Sequence, residues 1–126
     1  MKQIVSGPGV PTVIGAYSPA VRGAGLLFVS GQPGVDPVTG APVGSTLAEQ
    51  ARQAFANLAA VLRTGGSSPE LVLNTVILVT DISQFAVVNE EFGAFFPTEP
   101  PARMVMQVPL PGSLLISVGC TALLES

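Results

Sequence analysis

The segment from Leu71 to Val79 constrains this chain most, because Val, Ile and Leu side chains occupy both faces of what the pattern predicts to be a strand. A strand that is apolar on both faces must be covered on both faces. The segments before and after it have the spacing of amphipathic helices, which supply cover for one face only. We therefore predict a sheet with helices packed on one side and another sheet on the other.

The first helical segment begins at Thr46-Leu47-Ala48-Glu49, a capping-box sequence in which the Thr hydroxyl and the Glu carboxylate satisfy free amides. Gly65-Gly66 predicts its end. The apolar stripe of this helix comprises Leu47, Ala51, Phe55, Leu58 and Leu62. The opposite face carries Glu49, Gln53 and Arg63.

The second helical segment follows Asp81 and Ser83, which are candidate caps, and ends before a group of prolines. Its apolar stripe is Phe85, Val88, Phe92 and Phe95. Aromatic residues at this spacing predict a core or an interface and not a cofactor site.

Three further segments are predicted to be strands: Leu26–Ser30, which Gly31 closes, Met104–Val108 and Leu114–Val118. The order is then strands, helix, strand, helix, strand, strand, which is typical of a mixed α+β layer with two helices on one face of the sheet. The length of 126 residues fits a single domain, residues 1–126.

Charged residues make up only 10% of the chain, whereas 48% of its residues are hydrophobic. So few charges indicate that part of the surface is covered by copies of the same chain. We therefore predict a homo-oligomer in which the uncovered sheet faces pack together. A general bias of the source organism towards Gly and Ala is the alternative explanation.

The net charge of −3 and the absence of a basic run argue against a nucleic-acid partner. No apolar run approaches the roughly 20 residues of a membrane-spanning helix, so we expect no membrane partner. The N-terminal residues lack the apolar core of a signal peptide, and a cytoplasmic location is the expectation. Cys120 lies in an apolar run and is predicted to be a buried thiol.

The chain contains no His, one Cys and a single Lys, Lys2. These counts argue against His-dependent nucleophilic catalysis, zinc sites with nitrogen and sulfur ligands, and a lysine Schiff base. A phosphate-binding Gly-rich loop and a dinucleotide fingerprint are also absent. The chemistry that remains uses no cofactor and no metal, and relies on Arg, carboxylates, hydroxyls, backbone groups and water.

Arg103 is the leading candidate for ligand binding, because it stands where an apolar strand begins. A guanidinium cannot shed its charge, and burying it without a partner is costly. Its planar fork pairs with a carboxylate through two parallel hydrogen bonds. We therefore predict that Arg103 binds a small carboxylic acid. A salt bridge to a Glu of a neighbouring helix or subunit is the structural alternative.

Several segments occur in the order typical of one family. They are Ile14-Gly15-Ala16-Tyr17-Ser18-Pro19-Ala20, Phe28-Val29-Ser30-Gly31-Gln32, Gln50 through Asn57-Leu58, Val87-Val88-Asn89 and Pro100-Pro101-Ala102-Arg103. Over nearly the whole chain, this set resembles the Rid/YjgF family of reactive-intermediate deaminases. The resemblance implies a chorismate-mutase-like α+β fold. It also implies a homotrimer whose sheets pack into a central barrel, with ligand sites in the clefts between subunits.

The resemblance further implies cofactor-free hydrolysis of 2-imino acids, or their enamine tautomers, to 2-keto acids and ammonia. Arg103 matches the family arginine that pairs with the substrate carboxylate. The other matched positions are Tyr17 near the pocket mouth, Ser30 and Gly31 in the pocket lining, Asn89 near the site, and Val105. At the position of Val105 the family often has a Cys, whose backbone carbonyl helps to position the imine nitrogen. For Tyr17, Ser30 and Asn89, a purely structural role is an equal alternative.

The replacement of Cys by Val105 is a mild departure from the family that the chain resembles, because a backbone contact survives a side-chain change, and a second departure is more serious. Active members carry Glu in the last strand, in a pattern like Ile-Glu-Ile-Glu-Ala, which we align with Ile116-Ser117-Val118-Gly119-Cys120. The water-activating Glu then falls on Ser117, whose hydroxyl is a poor general base near neutral pH. Ser117 is therefore either a residue that holds water in the pocket or a strand hydroxyl bonded to backbone, and the second interpretation is favoured.

Three functions remain as alternatives. In the first, an imine hydrolase, Arg103 and backbone groups orient a substrate that already hydrolyses in water. In the second, the trimer binds a small carboxylate without hydrolysis, and in the third a diverged enzyme acts on another carboxylate. The missing Glu favours the last two, whereas the retained Arg103, Tyr17, Ser30 and Asn89 favour a small-acid pocket in all three.

Overall fold

The computed structural model describes residues 1–126 and contains six strands and two α-helices. The strands are β1 (Gln3–Val5), β2 (Ala20–Gly23), β3 (Leu26–Pro33), β4 (Val72–Val79), β5 (Ala102–Gln107) and β6 (Ile116–Leu123). The helices are α1 (Leu47–Gly65) and α2 (Phe85–Phe95), with short 3-10 turns at Pro69–Leu71 and Ile82–Gln84. The predicted α+β class with two helices is confirmed.

All six strands form one mixed sheet in the order β1-β2-β3-β6-β4-β5. β4 and β5 are parallel, and every other neighbouring pair is antiparallel. Parallel neighbours cannot be joined by a tight turn, so α2 makes the crossover between β4 and β5. β5 is consequently an edge strand, and Arg103 is its second residue.

α1 begins and ends where the sequence predicts. Thr46 Oγ1 accepts a hydrogen bond from Glu49 N, and Glu49 Oε1 accepts one from Thr46 N, each at 3.2 Å. Gly66 follows the helix in the left-handed conformation with φ 87°, and its N–H bonds the carbonyls of the last turn. The whole predicted apolar stripe of this helix is buried. Neither helix combines the length and the apolar character that crossing a bilayer requires.

The core lies between the two helices and one face of the sheet. β6 shows the alternation, because Ile116, Val118, Cys120 and Ala122 are buried while the residues between them are not. Burial raises the pKa of the Cys120 thiol to about 12. The predicted buried thiol is confirmed.

The opposite face of the sheet is apolar and uncovered within this chain. Val76 pairs with Met104, and Leu78 pairs with Met106 in the same part of the sheet. The exposed fractions of Val76, Met104 and Met106 are 36%, 55% and 39%. A contiguous apolar patch of this kind is typical of a protein–protein interface.

The predicted bounds of β3, β5 and β6 are wrong. β5 is Ala102–Gln107 and not Met104–Val108. Gly31 does not close β3, which continues to Pro33 past an irregularity between Val29 and Gln32. Such a bulge lets one strand hold an extra residue without ending the ladder. The last strand is Ile116–Leu123 and not Leu114–Val118, because the N–H of Leu115 is bonded by a side chain of α1.

The start of α2 also differs from the prediction. Asp81 accepts from Ser83 N at 3.0 Å and so caps the 3-10 turn that precedes the helix. The N-cap of α2 itself, Gln84, makes no side-chain capping bond. Phe85, the first residue of the predicted stripe, is 40% exposed. Its ring instead contacts Arg103.

Candidate functional site

A cavity of about 670 Å³ lies against the sheet beneath two irregular segments. Residues 11–14 and Tyr17 form one wall, and residues 110–114 form another. Gly31 and Ser117 line it from β3 and β6. Three of the residues that the sequence predicts for the site, Tyr17, Gly31 and Ser117, therefore share one cavity, and no charged residue lines it.

Gly31 and Ser117 touch across the β3–β6 ladder. A Cβ atom at Gly31 would lie 2.5 Å from Ser117 Oγ, so a side chain at position 31 and the hydroxyl compete for one space. Ser117 Oγ bonds no backbone group of the chain, so the interpretation of Ser117 as a backbone-bonded strand hydroxyl is wrong. The hydroxyl is free to bond a ligand or a water molecule in the cavity.

Tyr17 stands at the rim, whereas Ser30 lies behind it. The Tyr17 side chain is 49% exposed, and its phenol oxygen accepts from Ile14 N at 3.4 Å. Ser30 does not line the cavity, because its hydroxyl donates to the Ser18 carbonyl at 2.7 Å and its N–H donates to the Pro19 carbonyl at 3.0 Å. Ser30 therefore ties β3 to the segment that carries Tyr17.

One cavity wall is held by a buried amide that the sequence analysis did not assign to the site. Gln50 of α1 donates to the Ser113 carbonyl at 3.0 Å and accepts from Leu115 N at 2.8 Å. The backbone groups that these bonds satisfy belong to an irregular segment, which has no neighbouring strand to supply hydrogen bonds. They fix the position of residues 110–114 over the cavity.

A second buried amide holds the segment that follows β3. Asn57 of α1 donates to the carbonyls of Pro33 and Val35, at 3.1 Å and 2.9 Å. Gly34 lies so close to the helix that a Cβ there would collide with the backbone of Gln50. The signal in the sequence was the presence of two amides beside the apolar stripe of α1, where a polar group needs a specific partner.

Arg103 lies in a second cluster, on the helix side of the edge strand. Its Cζ atom is 4.8 Å from the ring centroid of Phe92 and 5.2 Å from that of Phe85. Its Nη2 atom donates to Asn89 Oδ1 at 2.8 Å. Val105 packs against the core two residues further along β5. Asn89, Arg103 and Val105 are therefore neighbours, and the two aromatic rings were not predicted to join them.

The guanidinium of Arg103 has no carboxylate partner within the chain. The one salt bridge joins Arg52 and Glu91, at 3.2 Å. The alternative prediction, in which Arg103 forms a salt bridge to a Glu of a neighbouring helix, is therefore wrong. The contacts with two rings orient the guanidinium without neutralising its charge. Because only Nη2 has a protein acceptor, the remaining donors are free for an anionic ligand.

The two clusters are separated by the sheet itself. Arg103 pairs with Thr75 of β4, and Ser117 pairs with Leu78 three residues further along the same strand. β4 lies between β5 and β6, so the separation is about 10 Å across the strands and about 10 Å along them. The chain brings Tyr17, Gly31 and Ser117 together and Asn89, Arg103 and Val105 together, but it does not join the two groups.

Carboxylates with lowered pKa values lie in turns and caps and not in either cluster. They are Asp36, Glu49 and Asp81. Hydrogen bonds from the backbone N–H of Thr39, from the Thr46 hydroxyl and from the Ser83 hydroxyl, respectively, are the main causes of the lower pKa. No group of His, Cys, Asp and Glu side chains is arranged to hold a metal ion. The two clusters can bind an anion and hold water, but they contain no conventional general base.

Comparisons with known proteins show which family the chain resembles. Residues 9–123 match the family model described as Endoribonuclease L-PSP. The chain is 39% identical over 108 residues to the 2-iminobutanoate/2-iminopropanoate deaminase of Rattus norvegicus, a match that covers 86% of this chain and 79% of that protein. It is 35% identical over 124 residues to Reactive Intermediate Deaminase A, chloroplastic, of Arabidopsis thaliana, and spans 98% of its own length but only 66% of that protein. The crystal structure of E. coli TdcF with bound serine has a TM-score of 0.89 at 28% identity, covering 98% of this chain and 99% of that one.

Proposed function

Because the chain belongs to the Endoribonuclease L-PSP family of Rid/YjgF proteins, we propose that it hydrolyses 2-imino acids and their enamine tautomers to 2-keto acids and ammonia. The names of the rat and Arabidopsis relatives support a deaminase of this kind. The observation that carries the proposal is the guanidinium of Arg103, which is held by Asn89 and two rings but has no carboxylate partner. A 2-imino acid supplies the missing carboxylate.

In this proposal the active site forms between two copies of the chain in a homotrimer. The uncovered apolar face of the sheet, with Met104 and Met106 at its edge, supports association through that face into a barrel. Arg103 of one copy then serves the cavity of the next copy, where Gly31 and Ser117 lie. The placement of these residues in two separate clusters of one chain supports this arrangement.

The proposed reaction needs one water molecule and no cofactor. Arg103 binds the carboxylate through its fork and fixes C2 of the substrate, while backbone groups near Gly31 and Val105 orient the nitrogen. Water that is hydrogen-bonded to Ser117 Oγ attacks C2 of the protonated imine and forms a tetrahedral carbinolamine. One proton of this water passes to the nitrogen, and the C–N bond breaks as the carbinolamine oxygen forms the new carbonyl. The remaining hydroxyl proton passes to the departing ammonia, so the products are a 2-keto acid and ammonium. A protonated imine is already electrophilic, so orientation and electrostatics supply the acceleration.

A second candidate function is binding of a small carboxylic acid without hydrolysis. The observation that favours it is Ser117, which offers a hydroxyl where a general base would be expected. The serine bound to E. coli TdcF supports a small amino or keto acid as the occupant. RNA cleavage is not proposed, because the net charge is −3 and neither cluster contains a run of basic residues.

A coupled assay tests the proposal. Imines are generated from amino acids with an amino-acid oxidase, or 2-aminoacrylate with a serine dehydratase, and their loss is followed with and without this protein. We expect acceleration that disappears in Arg103→Ala and persists in Arg52→Ala, a matched exposed arginine outside both clusters. Absence of acceleration together with Arg103-dependent binding of a 2-keto acid in calorimetry would establish the second candidate. Absence of both would contradict both.

A further inference from the structure

A second cavity lies at the edge of the sheet opposite β5, where β1 and β2 meet the end of α1. Its volume is about 310 Å³. The residues that line it are Gln3, Ile4, Val5, Ser6, Arg22 and Thr64. None of them lines the cavity of Gly31 and Ser117 or contacts the guanidinium of Arg103. We call this space the Arg22 cavity.

The sheet register turns Arg22 towards the helices. Arg22 pairs with Gln3 of β1 on one side and with Leu27 of β3 on the other. Paired residues of antiparallel strands point to the same face, and Leu27 is completely buried in the core. The Arg22 side chain therefore leaves the sheet on the helix side, beside the end of α1. Its Nη2 and Cζ atoms lie 3.7 Å and 3.9 Å from the position that a Cβ of Gly66 would take.

The guanidinium of Arg22 lacks a partner in the chain. Among the buried side-chain nitrogen and oxygen atoms, Arg22 Nε alone forms no hydrogen bond. No carboxylate neutralises the charge, because the one salt bridge of the chain joins Arg52 and Glu91. A shielded donor of a charged group without an acceptor costs free energy. The site therefore favours an anion.

The end of α1 does not supply the missing acceptor, although the last carbonyls of a helix often accept from a basic side chain. The Leu62 carbonyl accepts from Ser67 N at 2.8 Å, and the Arg63 carbonyl accepts from Gly66 N at 3.2 Å. The Gly66 carbonyl accepts from Glu125 N at 2.9 Å. These carbonyls are engaged, so the acceptor for Arg22 Nε has to come from outside the polypeptide.

The other polar groups of the cavity come from different elements. Gln3 belongs to β1, Ser6 follows that strand, and Thr64 lies in the last turn of α1. None of these three side chains forms a hydrogen bond within the chain. The guanidinium fork alone can satisfy a planar carboxylate, whereas the oxygens of a phosphate group point in several directions and accept from several donors.

We propose that the Arg22 cavity binds a phosphate group, either as inorganic phosphate or as part of a small metabolite. Arg22 pairs with two phosphate oxygens, and the amide and the two hydroxyls donate to the others. No carboxylate lines the cavity to repel the anion. The end of α1 carries a partial charge of only about −0.5, so Arg22 leaves the cavity net positive. This site is independent of the proposed hydrolase function.

Calorimetry and thermal unfolding test the proposal near neutral pH, in a phosphate-free buffer of constant ionic strength. The probes are inorganic phosphate and glycerol 3-phosphate, with acetate as the carboxylate control. We expect both phosphates to bind saturably and to raise Tm, and we expect Arg22→Gln to weaken binding at least about tenfold. Affinity for glycerol 3-phosphate that is at least about fivefold higher identifies a metabolite as the source, and otherwise the source is inorganic phosphate. Absence of saturable binding, or acetate that binds as tightly as phosphate, would overturn the proposal.

Further variants separate ligand binding from a structural role of Arg22. Arg63→Gln removes a cation from the same end of α1 outside the cavity and should leave phosphate affinity within about twofold. Thr64→Val keeps the shape of the side chain, loses the hydroxyl and should weaken binding about threefold. Without phosphate, Arg22→Gln should leave Tm unchanged or raise it, because Arg22 Nε has no partner to lose. A large fall in that Tm, together with unchanged phosphate affinity in Thr64→Val, would overturn the proposal in favour of a structural role.

Discussion

Arg103 and Ser117 lie on opposite faces of the same sheet. The Arg103 guanidinium rests on Phe85 and Phe92 of α2, on the side that the helices cover. Ser117 lies between the buried Ile116 and Val118 in β6, so its side chain lies on the face of the sheet away from the helices, where it lines the cavity. One chain cannot apply both side chains to one small substrate in this arrangement, so a site that uses both has to draw them from two copies.

Replacing Arg103 by Lys tests whether the fork of the guanidinium matters and not only its charge. Lys retains a point charge but offers no planar pair of donors. We expect Arg103→Lys to lower kcat/KM by about 10- to 100-fold, less than Arg103→Ala, because one of two charge-assisted hydrogen bonds is lost. Steady-state kinetics measure this, with Arg63→Lys, exposed at the end of α1, as the matched control. Full activity in Arg103→Lys would contradict bidentate recognition.

The ring of Phe85 should act as a positioning element for Arg103. Removing the aromatic face while keeping a similar volume, as in Phe85→Leu, weakens the orientation of the guanidinium. At exposed sites such contacts contribute about 0.5–1 kcal/mol, so we expect KM to rise about two- to fivefold with kcat nearly unchanged. Phe85→Tyr restores a π-face and should restore KM. A KM in Phe85→Leu that equals the wild-type value would show that the stacking has no role in binding.

Introducing a carboxylate at Ser117 should supply the general base that the cavity lacks. Positioned acid–base groups contribute typically about 10²- to 10⁴-fold, so we expect Ser117→Glu to raise kcat at least about tenfold at neutral pH. The gain should decline as the pH falls through the pKa of the new carboxyl. Ser113→Glu adds the same charge at another position of the cavity lining and serves as the control. A fall or no change in kcat for Ser117→Glu would contradict attack of water from the side of Ser117.

The capping box of α1 should make stability depend on pH. A hydrogen bond from the Thr46 hydroxyl lowers the pKa of Glu49 below its ordinary value of 4.5 in the folded chain. When folding lowers the pKa of a carboxyl group, the ionised form of that group stabilises the folded chain. This stabilisation is complete at pH values above the pKa of the group in the unfolded chain. It is lost as the pH falls through the pKa of the group in the folded chain. We therefore expect Glu49→Gln to lower Tm by a few degrees at pH 7, and we expect this difference to shrink as the pH falls below 4.5 and through the lowered pKa of Glu49.

Thermal unfolding between pH 7 and pH 3 measures this dependence. Glu90→Gln is the control, because Glu90 is an exposed carboxylate of α2 that accepts no hydrogen bond from the chain. A Tm difference between wild type and Glu49→Gln that stays constant across the range would contradict the assigned role of the ionised carboxylate.

The sequence predicts the local features of this fold better than its long-range ones. α1 was predicted at both ends because the capping box and Gly65-Gly66 act through bonds within a few residues. The boundary of β6 was missed because the bond that removes Leu115 from the ladder comes from Gln50, far away in the chain. Apolar runs alone do not contain that information.

The same distinction applies to the site. Residue types pointed to Arg103 as an anion-binding group, whereas Gly31 and Ser117 were implied only by the resemblance to the family. Their division between two faces follows from strand register and from the bulge in β3, which no pattern of residue types specifies. The supporting role of Phe85 was also missed, because an aromatic residue on a helical stripe is usually part of the core.

The most direct test of a site built from two copies is the imine hydrolase activity of mixed oligomers. Arg103→Ala removes the arginine but leaves the cavity intact, whereas Gly31→Val fills the space beside Ser117 Oγ and leaves the arginine intact. Each variant alone should be inactive. In oligomers assembled from equal amounts of both, about a quarter of the sites pair an intact cavity with an intact arginine of the neighbouring copy. We expect about a quarter of the wild-type rate, and mixed oligomers as inactive as their parents would contradict the shared site.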